Sequence, residues 1–360
     1  MSKKTNALNF RVFTAMIAVV MGCGREATNE SVVQNEPPTS VNEVKASSEY
    51  LLYAPTIQLG LQRIAIEECC RWADTNDTSV GCAVIVEVQT GNLIAIADCG
   101  GATDDPRPFA VHKKIEPGHL LSPFTAAFAI DSRAIRSIKS EFTSDHAEPS
   151  FSEFKLPSDG SDEISMISVS NALVRSSNTV ISKIGILCGP YELYDGFSRL
   201  GLASSVKDPK RWDIRERARI SIGQGIRMNA LDLARAYAIL ANSGRLPDGQ
   251  EAISTITAAS VKAALEGAVQ GGSGRNAAVP GIRVAGKTTT SMRMGVDSRY
   301  DVWKYLSAFA SIFPADKPKY AMVVWFETKR NENEPGLHHG GGRAALASRE
   351  IIKRIINMER

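Results

Sequence analysis

Charge of one sign is missing: 42 Lys plus Arg stand against 39 Asp plus Glu in 360 residues, a net charge of +3. An excess so small and so evenly spread gives no footprint for nucleic acid or an acidic surface. Long apolar runs are missing as well. The one at residues 12–22 holds eleven residues, where a helix crossing a bilayer core of roughly 30 Å needs about 20. No period of 20 to 50 residues recurs, which excludes solenoids and propellers. Cysteine is sparse, six in all, with no metal-ligand spacing among the Cys and His, so neither a metal nor another cofactor is called for. What remains is 43% hydrophobic and 22% charged, the balance of a globular chain long enough to bury a core without staples.

The N-terminus carries Lys3, Lys4 and Arg11 ahead of that apolar run, the pattern of a secretory signal. The sequence Val20-Met21-Gly22-Cys23 resembles a bacterial lipobox, which implies cleavage after residue 22 and a lipid anchor on Cys23. Residues 24–48 are polar, contain Pro37-Pro38 and lack an apolar period, so they read as a flexible tether. The organisation expected is therefore signal and anchor at 1–23, tether at 24–48 and one folded domain at 49–360. Such a chain is exported and held at a membrane, facing the periplasm or the cell exterior.

Within the domain, residues 57–73 place Leu61, Ile64, Ala65, Cys69 and Trp72 at helical spacing. Two short β-branched runs, 82–88 and 93–98, flank Thr90-Gly91 and read as a hairpin. Helices follow at 120–131, 168–187, 190–199 and 229–242, the last stopped by Ser243-Gly244. Strands return at 282–291, 305–312 and 319–326, and a helix closes the chain at 343–358. Strands at both ends around a helical middle predict an α+β domain: one antiparallel β-sheet of about five strands, flanked by helices.

If Thr90-Gly91 is a two-residue turn, Cys82 and Cys99 face each other at a close, non-hydrogen-bonded pair, where an exported protein can form a disulfide. A three-residue loop with Gly91 left-handed would shift the register by one and separate them. Two small core residues is the plainer reading. Cys69, Cys70 and Cys188 fall on predicted helices and read as buried, inert thiols.

Seven segments occur in an order that resembles the transpeptidase domain of penicillin-binding proteins, particularly class B, within the serine β-lactamase and penicillin-recognising fold. They are residues 56–63, the Thr90-Gly91 hairpin, 116–130, 172–185, 221–246, 284–290 and the final hairpin with its helix. The pedestal domain that usually precedes a class B transpeptidase has no counterpart among these segments. The resemblance implies a serine at a buried helix start with a lysine three residues on, so that lysine activates serine for acyl transfer. Those positions are His119 and Ser122 here. The flanks Glu116-Pro117-Gly118 and Pro123-Phe124-Thr125 fix the register on both sides. Two other Ser-x-x-Lys patterns, Ser152 with Lys155 and Ser204 with Lys207, lie in predicted loops and recur by chance.

The second motif, Ser176-Ser177-Asn178, is intact and implies a proton-shuttling hydroxyl and an amide for a substrate carbonyl; a polar helix–helix turn is the plainer reading. The third reads Lys287-Thr288-Thr289 where the family has glycine last, and a β-branched Thr289 should crowd a ligand lying along the strand. Lys287 can present charge to a carboxylate, or serve only as an edge-strand lysine. His119 and Ser122, three residues apart, could act as an inverted base and nucleophile, but His119 as a plug of the cleft is the simpler role. His338 and His339, before Gly340-Gly341-Gly342, fall where the family has a turn.

The expectation is therefore a transpeptidase-like domain stripped of its acylating pair, a pseudoenzyme that binds peptidoglycan, its stem peptides or a cell-wall enzyme through Ser176, Asn178, Lys287, Thr288 and Thr289. The alternative is an active D-Ala-D-Ala transpeptidase, carboxypeptidase or β-lactamase-like hydrolase with a non-standard nucleophile.

Overall fold

The run 80–86 is apolar at every position but glycine, too continuous for a strand with one wet face, so both faces of its sheet must be covered. A computed structural model, which describes residues 54–73, 78–100, 108–145, 164–206, 208–294, 300–329, 336 and 339–360, bears this out. Helix α1 (Leu59–Ala73) leads into strands β1 (Thr78–Glu87) and β2 (Leu93–Gly100). The short α2 (Phe109–His112) and α3 (Ser122–Asp131) precede a small ribbon of β3 (Glu141–Thr143) and β4 (Met166–Ser168). A helical middle follows: α4 (Val169–Arg175), α5 (Asn178–Cys188), α6 (Pro190–Arg199), α7 (Ile214–Ser221), α8 (Ala230–Ala241) and α9 (Thr255–Gln270). Strands β5 (Ala285–Met294), β6 (Tyr300–Phe313) and β7 (Tyr320–Lys329) and helix α10 (Arg343–Met358) complete the order.

The main sheet has five antiparallel strands in the order β2-β1-β7-β6-β5, so the chain's early and late strands meet at β1 and β7. The fold is the expected α+β. Alternation divides the sheet's side chains between two cores. Val84, Val86, Val323 and Trp325 face the helical middle with Phe124 and Phe128. Ile85, Val324 and Phe326 face α1 and α10 with Leu61, Ile64, Ile351 and Ile355. Strand β5 is left at one edge, where its open side meets the helical half.

The expected Cys82–Cys99 bond is not formed. The loop closes with Glu87 N–H on Asn92 O, Gly91 sits at φ +66, and a bulge falls between Ile85 and Val86. Cys99 therefore pairs with Gly81, while Cys82 pairs with Asp98. One residue of slip also reverses the faces. Cys82 points to the helical core and Cys99 to the α1 side, where it is bonded to Cys70 at a Cα separation of 5.1 Å. The reading of Cys70 as an inert thiol is corrected with it. Cys69, Cys82 and Cys188 are free and buried, and burial raises the pKa of each.

The single helix expected over 168–187 is two. Ser176 adopts a left-handed conformation (φ 63), ends α4, and hands over to Ser177, whose hydroxyl caps α5 by accepting the Val180 N–H. Helices α7 and α9 were not anticipated, and each starts at a good cap: Asp213 accepts from Glu216 N–H at 2.8 Å and Ser254 from Thr257 N–H at 3.3 Å. Asp131, at the end of α3, holds Ser254 through both its N–H and its hydroxyl, at 2.8 Å each, tying α9 to α3.

Candidate functional site

The site lies where three chain segments converge on β5's open edge. The first is a 3-10 turn, Gly118–Leu120, running into α3. It is pinned by a close backbone approach: Gly118 (φ 53) donates its N–H to Gly223 O at 3.1 Å. A Cβ on Gly223, itself at φ 74, would stand 2.1 Å from Gly118 O. Tyr237 braces the turn from α8 by donating its hydroxyl to Leu120 O at 2.8 Å and stacking edge-on against Phe124. The second segment is the α4–α5 junction, whose left-handed Ser176 turns both its own hydroxyl and the Asn178 side chain toward the cleft. The third is β5, where alternation sends Lys287 and Thr289 to the helical side and Thr288 to the other.

His119 stands at the centre of the first corner. Asn178 Oδ1 can only accept, so His119 Nε2–H donates to it at 2.7 Å; Nδ1 is then bare and accepts the Ser122 hydroxyl at 2.7 Å. Burial, then the nearby charge of Lys287, push the imidazole down to about 3, against the Asn178 bond, so it is neutral at working pH. The backbone N–H of His119 donates to Thr289 Oγ1 at 3.0 Å. In acyl transfer the N–H of the nucleophile's own residue commonly faces the developing oxyanion. Here that position is filled by a side chain, which is how Thr289 crowds the strand edge.

In the second corner Lys287 is wholly buried. Its Nζ donates to Ser176 Oγ, and to Thr288 O at 3.2 Å. Thr288 Oγ1 donates to Ser273 Oγ at 2.8 Å, and Ser273 lies 3.4 Å from Ser176 Oγ. Burial lowers the lysine to about 7. Among the described residues no carboxylate pairs with it.

Both corners open on one cavity of about 540 Å³. His119, Ser176, Asn178, Ser273, Thr288 and Thr289 line it, while Ser122 and Lys287 lie behind that lining, fully buried. The residues expected from sequence thus come together. Ser273 and the Gly118–Gly223 contact were not foreseen; the Gly271-Gly272-Ser273-Gly274 run after an unrecognised helix was the available signal for Ser273. His339 reaches the rim, where its backbone oxygen accepts the Ser307 hydroxyl at 2.8 Å, and partial burial lowers its pKa. His338, Ser152, Lys155, Lys207 and Cys23 lie outside the described residues, as do the expected signal and tether. Among the described residues no group of Cys, His, Asp and Glu could hold a metal, and no helix is long and apolar enough to cross a membrane.

The chain matches the family model of the penicillin binding protein transpeptidase domain over residues 81–354. It is 27% identical over 334 residues to a probable peptidoglycan D,D-transpeptidase, PenA, of Neisseria flavescens, covering 83% of this chain and 80% of that protein. Identity to the peptidoglycan D,D-transpeptidase FtsI of Escherichia coli K12 is 27% over 342 residues, 85% of this chain but only 56% of FtsI. Among solved structures, the transpeptidase domain of the FtsI4 D,D-transpeptidase of Legionella pneumophila superposes with a TM-score of 0.67 at 25% identity, covering 84% of this chain and 98% of that one. The apo transpeptidase domain of Burkholderia pseudomallei penicillin-binding protein 3 gives 0.73 at 24% identity, covering 85% and 96%, a likeness of fold.

Proposed function

As a member of the penicillin-binding protein transpeptidase domain family, this chain, we propose, is a wall-binding domain that holds peptidoglycan stem peptides, or a cell-wall enzyme, without acyl transfer. The observation that carries this reading is the state of His119: both ring nitrogens are engaged, its N–H is taken by Thr289, and the hydroxyl beneath it has no exposed surface. An imidazole so placed offers no lone pair to an entering carbonyl, and no lysine stands one turn away to activate one. The opposite corner keeps Ser176, Thr288 and the Lys287 charge on a cavity roomy enough for a peptide end, with Asn178 between the two corners. In the same proposal residues 1–23 direct export and anchor the chain by lipid at Cys23, residues 24–48 tether it, and 49–360 face the periplasm or the cell exterior.

The test is co-sedimentation of the full chain with purified peptidoglycan, alongside a pull-down of envelope proteins. Wild type should be retained by one of them, and a Ser176→Ala, Asn178→Ala, Lys287→Met variant, checked for folding, should be lost from it. Equal retention of the two, or retention of neither, would overturn the reading.

A second reading is favoured by one detail. Ser122, His119 and Asn178 are hydrogen-bonded in the sequence nucleophile, base, orienting amide, the order of a serine triad. It requires His119 to swing aside to uncover Ser122. Loss of a measured esterase or hydrolase activity in Ser122→Ala would select it.

A further inference from the structure

Three helices run between the cleft and the far end of the helical half. Helix α3 starts beside His119 and ends at Asp131, and α5 starts at Asn178 and ends at Cys188. Helix α7 runs the other way, from Ile214 to Ser221, and the next residues, Ile222 and Gly223, line the cavity. The far ends meet: Ser132 Oγ lies 3.7 Å from Cys188 Sγ, and Arg217 reaches from α7 to donate to Ile186 O at 2.8 Å. The first turn of α6 and a 3-10 turn, Pro209–Arg211, close the same end, where Tyr194 packs edge-on against Trp212. The eleven residues of α5 set this end about 16 Å from the cleft.

Large apolar side chains stand in water here. Leu187 is 54% exposed, Tyr191 56% and Ile214 42%, one each from α5, α6 and α7. Arg133, Lys210, Arg211 and Arg215 are exposed around them. The acids among them are turned onto partners: Asp208 and Asp213 accept the N–H groups of Lys210 and Glu216 at 3.0 and 2.8 Å, and Asp195 pairs with Arg199 at 3.2 Å. Glu192, exposed at the start of α6, stands against the bases. A chain near charge balance overall thus gathers cations and apolar side chains, a tyrosine among them, at one end. That is the composition of a surface that enters the headgroup layer of an anionic bilayer.

Resting on the lipid anchor at Cys23 proposed above, we propose that this end of the helical half docks on an anionic phospholipid bilayer and turns the cleft away from the membrane. Residues 24–53 separate Cys23 from Ala54, and a polar tether of that length spans about 30 Å. A surface held so near meets the bilayer at high effective concentration, so a few side chains suffice. The bases supply the attraction, and Leu187, Tyr191 and Ile214 supply the depth. Because α3 and α5 begin at the cleft and end on this surface, docking leaves the cavity open on the side away from the lipid.

The test uses the full chain, purified from bacterial membranes and reconstituted on vesicles that carry a nitroxide quencher at the headgroup. A bimane label is placed either at Glu192→Cys, on this surface, or at Gln224→Cys, on the cavity wall; the native free thiols, Cys69, Cys82 and Cys188, are buried. On vesicles rich in phosphatidylglycerol the first label should be quenched and the second not, and on phosphatidylcholine both should stay bright. One base near an anionic surface is worth about fivefold in residence, so Lys210→Glu, Arg211→Glu should lower the ratio of docked to undocked chain about twentyfold or more. Leu187→Ser, Ile214→Ser should lower it too; all four side chains are exposed, and an unchanged unfolding midpoint would show both variants folded. Equal quenching of the two labels, no quenching on anionic vesicles, or quenching that survives the charge reversal would overturn the inference. Intact mass reports the anchor separately. A chain without acyl groups on Cys23 would remove the anchoring reading, and quenching of the Glu192 label by added anionic vesicles would then support docking, its absence overturn it.

Discussion

At one corner of the cleft a nitrogen base shares its two ring nitrogens between Ser122 and Asn178; at the other, Lys287 leans on Ser176 and a backbone oxygen, with no carboxylate paired to it among the described residues. Both bases are pushed toward neutrality by burial, yet the two corners differ in what they leave for a ligand. The His119 corner satisfies itself, and with Thr289 on its N–H it has no donor or lone pair left to offer at that position. The Lys287 corner keeps its hydroxyls on the cavity wall and its charge conditional. On the proposed reading, polar groups closed on one another at the first corner withdraw acyl-transfer chemistry, while the hydroxyls of the second stay open to a ligand.

The largest expected effect is on the frame shared by both corners. Gly223→Ala should destabilise the fold by about 3 kcal/mol, since its Cβ meets the Gly118 backbone at a left-handed position; denaturant unfolding with an unchanged m-value would measure it. A near-neutral result would mean the turn carrying His119 is not held as described.

Next is a change of opposite sign. The unfolded chain protonates Lys287 near 10.5 and the folded chain near 7, so stability falls as pH drops from 10.5 to 7 and is level below. Lys287→Met should therefore stabilise the domain by about 1–3 kcal/mol at pH 7, after the loss of two hydrogen bonds, and the gain should shrink toward pH 10. A destabilised variant, or a gain unaffected by pH, would break the contrast between the corners. The smallest effect is expected for Asn178→Ala, about 1 kcal/mol, because one bond to a half-buried imidazole is lost. Its ¹⁵N histidine spectrum should show His119 losing the fixed Nε2–H tautomer.

Much of this was legible in the sequence, and the exceptions have physical causes. The continuous apolar strands and turn residues foretold a five-stranded sheet around a helical middle. Register was not legible, because a four-residue loop at Val88–Gly91 and a bulge left the partners from Ile85 back to Val80 displaced by one and gave Cys99 to Cys70 rather than Cys82. Helix α9 begins with β-branched residues and contains Gly267, so only its Ser254 cap announced it. The motif positions His119, Ser176, Asn178 and Lys287 were placed from their flanks. What no linear pattern contains is who bonds to whom: that Thr289 reaches the His119 N–H 170 residues away, or that Ser273 completes the hydroxyl wall.

The most direct measurement is intact-mass spectrometry of the full chain after incubation with a reactive β-lactam, beside a His119→Ser, Ser122→Lys, Thr289→Gly variant that restores a nucleophile, its base and a clear strand edge. Wild type without an adduct and the variant with one is the expected result, a cleft that keeps its shape and lacks its chemistry. A stoichiometric wild-type adduct would contradict it, and the modified residue would name the nucleophile.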